Sequence, residues 1–85
     1  MAEWQLSWRD HVWTAADLTI SDLIVVGELL QVDSWAALEP TASPRACVGV
    51  LAVLIAKATG VPIEEAQAAV LGMSLPEFVG CLDIV

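Results

Sequence analysis

Positive charge is what this 85-residue chain has least of: three lysines and arginines stand against eleven aspartates and glutamates, a formal net charge of -8. A nucleic-acid interface neutralises phosphates with a basic footprint, and no such footprint exists here. Attraction to an anionic membrane surface fails for the same reason. Histidine occurs once, as His11, and cysteine twice, as Cys47 and Cys81. A metal centre needs converging nitrogen, sulfur or carboxylate ligands, and these three are scattered, so no metal is expected. Both cysteines sit in apolar helical patterns and read as small buried hydrophobes; a disulfide stays open. There is no phosphate-cradling glycine pattern, and "GVPIEEA" does not supply one. The N-terminus, "MAEWQLSWRD", has neither the basic nor the apolar region of a signal peptide, which makes the chain read as cytoplasmic.

Long apolar runs are also missing, with one partial exception. From Ala46 to Ala56 eleven residues pass without a polar side chain. A membrane-spanning helix needs about 20. The run is too short to span and stops at Lys57, so it reads as a helix buried on most sides within a protein.

What the chain has in excess is apolar side chains. They make up 58% of the sequence, where about 45–50% is usual even with glycine counted. A chain of this length makes one domain, and a small domain has little interior. Some apolar surface is therefore expected to face a partner. The acidity is uneven: residues 1–42 hold seven acids and Arg9, and residues 43–85 hold four acids with Arg45 and Lys57. Such charge keeps an apolar chain dissolved and steers it toward basic partners.

The patterning predicts a mainly α, single-domain bundle of about four helices with a short N-terminal β-hairpin. Within residues 3–14, Trp4, Leu6 and Trp8 alternate with Gln5 and Ser7, as in a half-buried strand. A loop at Asp10 and His11 would set Trp8 opposite Trp13. Thr19 with Asp22 three residues on resembles a capping box and opens a helix over 20–32. Ile20, Leu23, Val26 and Leu30 form its expected core face. Val25, Leu29 and Val32 form a second stripe rimmed by Asp22 and Glu28. One face is enough for a core, so these five residues, Val25, Leu29, Val32, Asp22 and Glu28, are the candidate partner-binding set.

Asp33 or Ser34 caps a short helical turn that Pro40 ends. Residues 40–44, "PTASP", are a linker. Ser43 and Pro44 then open the apolar helix, Lys57 sits in its last turn, and Gly60 closes it. Val50, Leu51, Val53, Leu54 and Ile55 are expected in the core. Pro62 opens a further helix with Ile63, Ala66, Val70 and Met73 on one side and Gly72 at its end. Ser74 and Glu77 make a capping box. Leu75, Phe78, Val79 and Leu82 follow as a stripe running to the C-terminus.

Catalytic chemistry finds no foothold. Asp10 and His11 are neighbours at a turn, where an acid–base pair seldom aligns. Glu64 and Glu65 complement a helix N-terminus. The four tryptophans could stack bases, but without positive charge they read as packing. No cofactor is expected, and the chain reads as non-enzymatic.

Taken in order, "WQLSWRDHVWTAADLT", "ISDLIVVGELLQVDSWAALEP" and "SPRACVGVLAVLIAKATGVPIEEAQAAV" resemble the small tail assembly chaperones of long-tailed actinobacterial phages and prophages. The resemblance covers most of residues 8–80. Its landmarks are Glu28, Trp35, Leu38, Pro40, Gly60, Glu64 and Glu65. Cys47 and Cys81 are not among that family's landmarks, and its basic residues around the linker are reduced here to Arg45. The resemblance implies a protein that coats the hydrophobic tape-measure protein during tail assembly, keeps it soluble, recruits tail-tube subunits and then leaves. Such proteins are often also made in a longer, frameshifted form. The alternative is a small structural protein retained in a virion or other assembly. Either way a protein partner and a homo-oligomer are expected.

Overall fold

The computed structural model describes residues 4–32, 38–41 and 43–84. Strand β1 (Trp4–Trp8) pairs antiparallel with β2 (His11–Thr14), and the loop is Arg9–Asp10 rather than Asp10–His11. Leu6 thus opposes Trp13, and Trp8 opposes His11. The expected and observed registers differ by two residues, so both keep Trp13 on the inner face and alternation cannot separate them. The aromatic rings do. His11 stacks between Trp8, at 6.2 Å, and Trp13, at 5.3 Å. Arg9 enters the left-handed region with φ 54°, which is unfavourable for a residue with a Cβ. Its guanidinium lies 4.3 Å from the Trp8 ring centroid, a cation–π contact that offsets that cost.

A short 3-10 turn, Ala15–Asp17, leads into helix α1 (Ile20–Leu30). The Thr19 hydroxyl accepts from the Asp22 N–H at 3.2 Å, and the Asp22 carboxylate accepts from the Thr19 N–H at 2.9 Å. That is the reciprocal box the spacing predicts. The helix stops two residues earlier than expected. Gln31 turns left-handed and the Val32 N–H closes back on the Gly27 carbonyl at 3.1 Å. The helical turn expected from Asp33 or Ser34 falls on residues outside those described; Leu38 and Pro40 are described, and both are buried.

Helix α2 (Pro44–Thr59) is the centre of the molecule. Ser43 caps it, Pro44 takes the first turn, and Gly60 ends it with φ 77°. Val50, Leu51, Val53, Leu54 and Ile55 are all buried, as the unbroken apolar run predicts. Helices α1 and α3 (Ile63–Leu71) both pack on it. At Gly49 a Cβ would lie 3.4 Å from Val26 of α1 and 3.7 Å from Leu30, in ordinary contact, so the helices meet closely here and leave no room for a larger side chain. Ala66 and Val70 carry α3 into the core, with Ile63 and Met73 packed at its edge.

Helix α4 (Leu75–Cys81) starts at Ser74, whose hydroxyl accepts from the Glu77 N–H at 3.4 Å and donates to the Glu77 carboxylate at 3.0 Å. It does not continue to the C-terminus. Residues Leu82–Ile84 form β3 and pair antiparallel with β1, giving a three-stranded sheet in the order β2-β1-β3. The free edge of β1 supplies the reason: its backbone groups beside buried Trp4 and Leu6 need partners, and an extended segment provides them. Trp4, Leu6 and Trp13 from the sheet join the α2 residues in one hydrophobic cluster. Among the described residues no helix is long and apolar enough to cross a membrane.

Candidate partner-binding surface

The surface of α1 differs from its sequence expectation at particular positions. Asp22, read as a rim residue, is buried, and its Oδ2 accepts from the Lys57 Nζ at 2.7 Å. Lys57 belongs to the last turn of α2, so the pair ties the start of one helix to the end of the next. Leu23, Val26 and Leu30 pack into or against the core as the expected inner face has them, and Leu29, expected on the partner stripe, comes in beside them at the core edge. Ile20, expected in the core, turns out to solvent and is 64% exposed. Ile24, one turn on and absent from both expected stripes, is 58% exposed.

The five expected partner residues are therefore not gathered on one face. Asp22 is buried and paired, and Leu29 is half-buried. Val25 lies at the margin of the exposed side and Glu28 is exposed. Val32 sits past the helix end, in the wall of a different feature. That feature is an open groove of about 630 Å³ running along α1. Its lining includes exposed Ile20, Ile24 and Glu28 with half-buried Leu23 and Val32 and buried Leu38. A signal for it exists in the sequence: Ile20, Ile24, Gly27 and Gln31 follow i, i+4, i+7, i+11 spacing.

A second apolar area lies on α4. Leu75 is 74% exposed and Val79, one turn later, is 61% exposed; Leu71, at the end of α3, is 67% exposed. The expected stripe of Leu75, Phe78, Val79 and Leu82 is thus split. Phe78 and Leu82 pack against the core and the other two face water.

The titratable groups of the interior are structural. Burial raises the Asp22 carboxyl, but hydrogen bonds from Lys57 and from the Thr19 backbone and hydroxyl, with the Lys57 charge, outweigh it and hold it below its ordinary 3.8. Both cysteines are free and buried. Burial, with a smaller contribution from nearby Cys81, pushes the Cys47 thiol up to about 11. Burial, then the Glu77 charge, raises Cys81, whose Sγ–H donates to the Glu77 carbonyl at 3.3 Å. Neutral, raised thiols are poor nucleophiles. Among the described residues no three His, Cys, Asp or Glu side chains converge as metal ligands would. His11 is held between two indoles on β2 rather than lying in the turn. What the described surface offers chemically is apolar area beside acidic groups.

No protein-family model, no curated protein and no solved structure matches this chain.

Proposed function

We propose that this chain is a non-enzymatic assembly factor of the phage tail-assembly-chaperone type, which holds the tape-measure protein on apolar helix surface, keeps it soluble and then leaves. The observation that supports the reading is the pair of exposed apolar areas, Ile20 with Ile24 on α1 and Leu75 with Val79 on α4, on a domain whose formal net charge is -8. Exposed apolar side chains grouped along helices are how helix-binding proteins engage their targets. Strong charge of one sign keeps a complex with an apolar partner in solution. The resemblance of the sequence to the small tail assembly chaperones supplies the identity of the partner, and with it a site of action in the host cytoplasm.

Co-expression with the tape-measure protein of the same phage tests the reading. The wild-type chain is expected to bring the tape-measure protein into the soluble fraction and to purify with it. A double variant, Ile24→Glu with Leu75→Glu, is expected to fold and to lose that effect. A tape-measure protein equally soluble with and without the chain would refute the proposal. Mass spectrometry of finished particles separates the alternatives: a chaperone is absent, and a retained structural protein is present in fixed ratio to the tube subunit.

A further inference from the structure

Glu28 occupies an unfavourable position. It lies in the last turn of α1, where backbone carbonyls concentrate negative potential, and that turn contains no basic residue. The one ion pair among the described residues is Lys57–Asp22, so among them Glu28 has no cation of its own. Exposed Asp17 precedes α1, and Glu39 follows the groove residue Leu38, so the surroundings in sequence are acidic as well. Glu28 lines the same groove as Ile20 and Ile24 and lies one to two turns C-terminal to them on α1. From Ile20 to Leu30 the helix rises about 15 Å, close to three turns of a second helix.

We propose that the α1 groove receives an amphipathic helix from a partner protein, with a lysine or arginine beside its apolar ridge that meets Glu28 and the carbonyl end of α1. This rests on the reading of the chain as a helix-binding protein and adds the chemistry of the bound segment. The apolar ridge covers Ile20 and Ile24, and the cation compensates both the carboxylate and the helix dipole. A second copy of this chain is a poor occupant, because a net charge of -8 on each copy sets like charge against like at the groove.

The test uses the whole chain and two synthetic helical peptides with the same leucine ridge, one flanked by lysine and the other by glutamate, followed by fluorescence anisotropy. The lysine peptide is expected to bind about tenfold more tightly, the scale of one charge-assisted contact, and the advantage shrinks as salt rises. Glu28→Gln is expected to remove most of that advantage, Glu28→Lys to reverse it, and Ile24→Ser to weaken both peptides. Glu28→Gln should also melt no lower than wild type, because it removes a repulsion from the free protein; a residue kept for the fold would melt lower. Equal affinity for the two peptides overturns the proposal, and so does binding that survives Ile24→Ser. A dimer seen by sedimentation and lost in Ile24→Ser would assign the groove to a second copy and also overturn it. Peptide binding lost in Leu75→Ser but kept in the α1 variants would refute this site while leaving the helix-binding reading intact. No peptide binding together with unaided tape-measure solubility would remove both.

Discussion

The Asp22 carboxylate and the Lys57 ammonium meet at 2.7 Å, and this contact joins the first turn of α1 to the last turn of α2. Asp22 also accepts from the Thr19 N–H, so one side chain caps its own helix and anchors it to the next. Replacing it by alanine is expected to cost about 1–3 kcal/mol, the scale for hydrogen bonds to a charged group. The ion pair itself adds little beyond this, since the Lys57 side chain is 44% exposed and screened. The carboxyl's folded pKa lies below its unfolded 3.8, so its contribution is complete above 3.8 and is lost as pH falls through the lowered value. Urea unfolding of wild type and Asp22→Asn should therefore differ at neutral pH and converge in acid. A gap that persists in acid would place the effect elsewhere than in the ionised carboxylate.

Leu54 tests the centrality of α2. It is buried in the common cluster, and Leu54→Ala is expected to cost about 2–5 kcal/mol, the range for a truncated core side chain. Chemical denaturation measures it; a loss under about half a kcal/mol, well below that range, would show that α2 is peripheral.

The thiols report on the same core. Cys47 and Cys81 should resist Ellman's reagent in the native state and react fully in denaturant. The folded Cys47 thiol titrates at about 11 against 9.0 unfolded, so the fold binds the proton more tightly. Its contribution is present below 9.0 and is lost as pH rises from there through about 11. A Cys47→Ala variant should show a shallower loss of stability across that window.

Two glycines should respond oppositely. A Cβ at Gly80, inside α4, meets nothing within 4 Å, so Gly80→Ala is expected to stabilise by about 0.5–1 kcal/mol through helix propensity. Gly49→Leu drives a side chain into Val26 and Leu30 and should destabilise by about 1–3 kcal/mol, the usual cost of overpacking. Thermal melts of the pair check both signs. Stabilisation by Gly49→Leu would mean that α1 does not pack at this point.

Self-association, if carried by the α4 surface, should depend on salt. Leu75 and Val79 are exposed on a chain of net charge -8, so repulsion opposes contact between copies at low ionic strength. Sedimentation is expected to show association rising as salt screens that charge, and Leu75→Glu should abolish the rise. A monomer at all salt concentrations would rule out this role for α4.

Much of the chain's layout was legible because its signals are local. Thr19 with Asp22, Ser43 with Pro44, and Gly60 act within a few residues of the helix ends they set, so reading them needed no neighbour in space. The burial of α2 was equally plain, since a run with no polar side chain offers no face to water. Tertiary structure decided three other things. Two hairpin registers kept Trp13 inside, and the stack of His11 between Trp8 and Trp13 accompanies the one adopted. The end of α4 gave way to β3 because the edge of β1, far away in sequence, needed hydrogen-bond partners. The candidate surface depended on the packing of α1. Periodicity placed Leu23, Val26 and Leu30 inward, where they lie, but the apolar residues of α1 spread round too much of the helix to place Ile20, Ile24 and Leu29. In the packed pair of helices Asp22 meets Lys57, 35 residues away, Leu29 comes to the core edge, and Ile20 and Ile24 face water.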